Sequence, residues 1–144
     1  MHEVRTEIDI DATPGRVWSV LTDFPAHAQW NPFIRSIAGL PQRGQQLVVS
    51  IQPAGGRPMT FKPTVLAATA GEQLRWRGRF LVPGLFDGEH YFEMTANGQG
   101  GTRFVHGEKF SGLLVSMAKS ALEGGTRAGF VAMNQALKTR AEAP

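Results

Sequence analysis

The stretch DGEHYFEMTANGQGGTRFVHGEKF, residues 87–110, decides the fold. Two runs with a period of two flank Asn97-Gly98-Gln99-Gly100-Gly101, a turn-forming composition, so the stretch reads as an antiparallel hairpin. In the first run His90, Phe92 and Met94 share one face, against Asp87, Glu89, Tyr91 and Glu93. In the second, Phe104, His106, Glu108 and Phe110 share a face, opposite Arg103, Val105, Gly107 and Lys109. The faces carrying Phe92, Met94, Phe104 and Phe110 turn inward and take His90, His106 and Glu108 with them. A loop of 96–100 sets His90 opposite His106, and one of 97–101 sets it opposite Glu108. Either register keeps the three side chains in mutual reach, because opposed Cβ atoms lie about 5 Å apart.

Working outward, Phe33 to Phe110 reads as six strands: 33–40, Gln46–Gln52, Met59–Ala68, Gln73–Val82, Phe86–Ala96 and Thr102–Phe110. Turns of a few residues join them, which makes the sheet an antiparallel meander, since parallel crossovers need a dozen or more. Before them lies a strictly alternating strand, with Val4, Thr6, Ile8 and Ile10 inward. A helix follows, with Thr13 as N-cap, Pro14 at its first position, and Val17, Trp18, Leu21 and Phe24 at helical spacing. Pro25 and Pro32 break that helix, so 25–32 forms a turn or a second short helix. Trp30-Asn31-Pro32 anchors what comes next, with Asn31 held extended by the proline. After Gly112 the residues Leu114, Met117, Ala121, Ala128, Met133 and Leu137 mark one helical stripe reaching about Ala141. Gly124, Gly125 and Gly129 interrupt it, for close backbone approach or to leave room above them. The order β-α-α-β6-α predicts an α+β fold, a curved antiparallel sheet of about seven strands wrapped around a long C-terminal helix. A gap between sheet and helix is the natural cavity.

The chain of 144 residues fits one domain, 1–144, and 42% hydrophobic with 19% charged residues argues against disorder. It has no cysteine, which removes disulfides, thiolate metal sites and cysteine nucleophiles. No signal-peptide pattern opens the sequence and no apolar run is long enough to span a bilayer, so the expectation is a soluble, cytoplasmic protein without stable membrane insertion. Net charge is +3, and the sharpest basic cluster is Arg75, Arg77 and Arg79 on one strand face. That reads as a solvated outer face, and no nucleic-acid partner is expected. Serine nucleophiles, phosphate loops and zinc motifs are absent; 98–101 lies between strands, not before a helix.

The run Ile10-Asp11-Ala12-Thr13-Pro14-Gly15-Arg16-Val17-Trp18, then Asp23 and Trp30-Asn31-Pro32, resembles the SRPBCC superfamily. So do Gly88–Phe92, Gly101–Phe104, Gly129-Phe130 and Met133–Lys138. The superfamily includes START lipid-transfer domains, birch-pollen-allergen-like proteins and polyketide cyclase/dehydratase-like proteins, and the resemblance points to the last branch. It covers nearly the whole chain and implies a helix-grip fold with an apolar cavity between the sheet and the C-terminal helix. Function varies widely on this fold. Ring-hydroxylating members also carry an iron–sulfur domain, for which this chain has no cysteines, and no cofactor is called for.

The candidate cavity walls are Trp76, Phe80, Phe92, Phe104, Met117 and Phe130, with His90, His106 and Glu108 as polar anchors. The trio admits four readings: a satisfied buried network, orientation of a mostly hydrophobic guest, acid–base catalysis, or a non-haem metal site. The leading expectation is a binding module for one small hydrophobic or amphipathic molecule, such as a lipid, quinone, polyketide or aromatic. The alternative is a cyclase/dehydratase-type enzyme using the same trio as catalytic residues. A nucleic-acid or membrane-surface adaptor using the arginine strand comes third. His2 and His27 are assigned no role.

Overall fold

The computed structural model describes residues 1–80 and 82–144, apart from the side chain of Phe80. The chain runs β1 (His2–Ile10), α1 (Pro14–Thr22), a 3₁₀ turn, α2 (His27–Trp30), then β2 (Ile34–Ala38), β3 (Val48–Ile51), β4 (Met59–Phe61) and β5 (Thr64–Thr69). β6 (Gln73–Phe80), β7 (Phe86–Ala96) and β8 (Thr102–Ser111) follow, and the chain closes with α3 (Val115–Ala121), a π turn (Leu122–Thr126) and α4 (Arg127–Glu142).

The strand expected over Met59–Ala68 is two, β4 and β5. Pro63 has no N–H to give a ladder, and the chain breaks there. The sheet splits accordingly into β1-β8-β7-β6-β5 and β2-β3-β4. Backbone bonds still stitch the halves together: Leu47 N–H donates to Pro63 O at 2.8 Å and Val65 N–H to Gln45 O at 2.8 Å. Every pairing between strands is antiparallel.

The hairpin settles on the 97–101 loop, with Ala96 opposite Thr102 and His90 opposite Glu108. Asn97 fixes that choice. Its side-chain Oδ1 accepts from Gln99 N at 2.9 Å and Gly101 N at 3.1 Å, tying the loop shut.

Thr13 caps α1, its hydroxyl accepting from Arg16 N at 3.2 Å, with Pro14 in the first turn. Asn31 is extended (φ −91°, ψ 115°), as the following proline demands. Its Oδ1 accepts from the N–H groups of Phe33 and Ile34, both at 2.9 Å, while Nδ2 donates to His27 Nδ1 at 3.1 Å. His27 in turn donates from Nε2 to Leu21 O at 2.7 Å. Burial lowers its pKa below 6.5, against smaller opposing effects of the Leu21 carbonyl and Asp23. His27 is therefore a neutral clamp between α1 and β2, a structural role the sequence reading did not give it.

α4 lays Phe130, Met133, Leu137 and Ala141 on the core. Gly129 has a packing reason: a Cβ there would overlap the ring of Phe33. The predicted single stripe does not hold across the whole C-terminal segment. At about 100° per residue Met117, Ala121 and Ala128 lie on the far side of the helix from Met133 and Leu137, and the buried face runs through Val115, Leu122, Phe130, Met133 and Leu137, so Met117 is 82% exposed and Ala128 faces out.

Candidate functional site

A cavity of about 640 Å³ opens between the two sheets and the α3–π segment. Its floor is Trp76, His90, Glu108 and Phe110 from β6, β7 and β8. Phe33, Ile34 and Ile51 form a side, and the Pro53–Gly56 turn between β3 and β4 borders the mouth. The turn touches the π segment, where Ala54 N–H donates to Gly125 O at 3.4 Å. Gly125 is required for that contact, because a Cβ would sit 2.6 Å from Ala54 O.

The strand pattern shapes the cavity floor. Gly78 and Gly88 stand opposite each other in β6 and β7, in the alternation that sends Trp76 and His90 inward. A Cβ at Gly78 would meet the Phe61 ring at 3.1 Å, so these bare positions let neighbouring side chains lie across the sheet as cavity wall. At Gly88 the place is taken by Glu108, whose Oε2 a Cβ would overlap.

The predicted residues divide into three groups. Trp76, His90 and Glu108 stand in the cavity wall. Phe92, Phe104, His106 and Phe130 are fully buried and lie behind it. Met117 turns to solvent, so its expected place in the wall is corrected. Phe80, also expected there, has a side chain outside the described residues. Phe33, Ile34, Phe61 and Phe86 line the cavity and were not named from the sequence. Phe86 had a signal, since it shares the parity of His90.

His90, His106 and Glu108 do come together, in a longer chain. His90 Nδ1 lies 3.1 Å from Glu108 Oε1, and His90 Nε2 lies 2.7 Å from His106 Nε2. His106 Nδ1 meets Asn134 Oδ1 at 2.9 Å, Asn134 Nδ2 donates to Thr6 Oγ1 at 2.8 Å, and Thr6 donates to His106 O at 2.7 Å. Aromatic rings sandwich it: Trp76 stacks on His90 at 5.2 Å between centroids, and Phe130 on His106 at 4.1 Å.

The chemistry of each group fixes the direction of these bonds. A backbone carbonyl only accepts, so the Thr6 proton goes to His106 O and Thr6 receives from the Asn134 amide. Asn134 Oδ1 then accepts from His106 Nδ1–H. Burial holds the pKa of His106 well below 6.5, reinforced by His90 and opposed by the Asn134 bond, so the ring is neutral. Its Nε2 therefore accepts, and His90 Nε2–H donates. One proton remains, between His90 Nδ1 and Glu108 Oε1. Thr6 and Asn134 were not singled out as site residues; Asn134 is a polar residue inside an apolar stripe, and its partners lie far away in sequence.

Two imidazole nitrogens that face each other in a hydrogen bond are not splayed for a metal, and among the described residues no cluster of three His, Cys, Asp or Glu is disposed to hold one. On the outer face Arg75 pairs with Glu89 at 3.4 Å and with Glu93, and its guanidinium covers the Tyr91 ring at 5.0 Å. Arg77 lies 3.7 Å from Glu89.

The family described as polyketide cyclase / dehydrase and lipid transport matches residues 1–142. Among solved structures, the Zhui aromatase/cyclase from Streptomyces sp. R1128 superposes with a TM-score of 0.79 at 18% identity, over 98% of this chain and 93% of that one. A START superfamily protein from Mycobacterium smegmatis gives 0.74 at 23% identity, over 99% and 98%. Ara h 8.0201 gives 0.66 at 14% identity, over 96% and 98%. These share the helix-grip arrangement of a curved sheet on a long C-terminal helix. No match was found among curated proteins.

Proposed function

We propose that this chain, which belongs to the polyketide cyclase/dehydrase and lipid transport family, holds one small apolar or amphipathic molecule in the cavity above Trp76, His90 and Glu108. The cavity itself carries the reading. Its volume of about 640 Å³ lies in the range of small-molecule sites, and its wall is mostly hydrocarbon and aromatic with few polar groups. Among the described residues no helix is long and apolar enough to cross a membrane. The pairing of Arg75 and Arg77 with β7 carboxylates weighs against a polyanion-binding role for that face. Native mass spectrometry of the purified protein tests the reading. Co-purified apolar adducts are expected, together with a raised melting temperature for some of a panel of lipids, quinones and aromatics. Protein free of adducts that no compound stabilises overturns it.

A second reading, acid–base catalysis of the cyclase/dehydratase kind, is favoured by the single proton between His90 and Glu108 at the cavity wall. It predicts turnover of a polyketide-like substrate that falls by about 100-fold or more in Glu108→Gln. Unchanged turnover in that variant eliminates it.

A further inference from the structure

Every donor in the buried chain is spent before it reaches the cavity. Thr6 gives its proton to His106 O, Asn134 gives to Thr6, His106 to Asn134, and His90 Nε2–H to His106. The last proton lies between His90 Nδ1 and Glu108 Oε1, whichever atom carries it. The other carboxyl oxygen, Oε2, receives no hydrogen bond from any described group, and the Glu108 side chain keeps 12% exposure at the cavity wall. A carbonyl oxygen of a neutral carboxyl accepts, and so does a carboxylate oxygen. At Glu108 the wall thus offers the guest an acceptor and no donor; the donors of the lining stand elsewhere, on Arg57 and on Trp76, whose Nε1–H is buried without a partner.

We propose that the cavity selects an apolar molecule bearing a hydroxyl donor, a phenol, enol or alcohol, bound through that hydroxyl to Glu108 Oε2. Thr6, Asn134 and His106 are positioning residues that impose this choice by fixing the proton order behind the wall. The inference rests on the reading of the cavity as a ligand site. It disfavours, at Glu108, a guest group that only accepts, whether carboxylate, ether or ketone, since two acceptors would face each other there.

Three probes with one body decide it: 2-naphthol, 2-methoxynaphthalene and 2-naphthoate, titrated against the full chain by calorimetry. The naphthol is expected to bind about tenfold more tightly than the ether, the value of one buried hydrogen bond, and the naphthoate most weakly. Glu108→Gln keeps the preference, because its amide donates to His90 and leaves a carbonyl for the guest. Glu108→Met erases it. Should Glu108→Met fail to fold, loss of the preference in Glu108→Gln overturns the inference by itself. Nitrogen-15 spectra of the histidines supply a ligand-free readout: His106 protonated at Nδ1 and His90 at Nε2. Equal binding of naphthol and ether, tighter binding of naphthoate, or a proton on His106 Nε2 overturns this inference alone. No binding of any probe overturns the cavity reading with it.

Discussion

His90 and His106 face each other through their Nε2 atoms at 2.7 Å, one ring at the cavity wall and the other sealed behind it. Two imidazoles so placed share one proton along that line, and Asn134, on α4, decides which ring owns it. The sheet carries the polar groups and the helix sets their order.

Asn134→Ala removes the acceptor of His106 Nδ1–H and the donor to Thr6 together. Both partners are buried, so a loss of about 2–4 kcal/mol is expected in urea unfolding, and the histidine nitrogen spectra lose their single tautomer pattern. Asn134→Ala with wild-type stability refutes the network as drawn.

Stability falls in acid. His106 has a pKa below that of the unfolded chain, so below about pH 6.5 the unfolded state takes a proton that the fold refuses. The stability is complete above that pH and declines as pH drops, by about 1.4 kcal/mol per unit for His106, with His27 adding in the first part of the range. Urea midpoints at a series of pH values measure the slope, and His106→Phe flattens it. The Leu21 carbonyl and the charge of Asp23 raise the His27 pKa and so oppose this loss.

Two helix-region glycines respond in opposite directions. Gly129→Ala drives a methyl into Phe33 and costs about 1–3 kcal/mol while disturbing the cavity side. Gly124→Ala meets nothing within 4 Å and gains about 0.5–1 kcal/mol from a stiffer helix. Thermal melts of the pair check both signs.

Gly88→Ala places a methyl where Glu108 Oε2 sits and breaks the bond to His90. The fold survives, and the stabilisation by bound apolar compounds drops. Melting curves with and without ligand separate the two effects.

Much of this was legible in the chain. Parity alone turned His90, His106 and Glu108 inward, because a strand has only two faces. Register was left open between two loops, since it depends on which side chain closes the turn, and Asn97 does so. The C-terminal stripe failed at Met117 because it joined two helical phases: Leu114, Met117, Ala121 and Ala128 share one side, Met133 and Leu137 the other, and the core took the side of Val115 and Leu122. Phe33 and Ile34 reach the cavity by way of Asn31 and a buried histidine six residues beyond its acceptor at Leu21. Asn134 found its partners 28 and 128 positions away, a pairing that no local pattern announces.

The contact between Ala54 and Gly125 joins the exposed turn after β3 to the π segment, while Glu108 belongs to β8. On the proposed ligand-site reading, what is chosen and how long it stays fall to separate parts of the molecule. The carboxyl sits on a long central strand with little freedom, while the doorway hangs on a 3.4 Å backbone bond from a glycine turn. Loosening that latch speeds arrival and departure alike and leaves the chemical preference of the chamber intact.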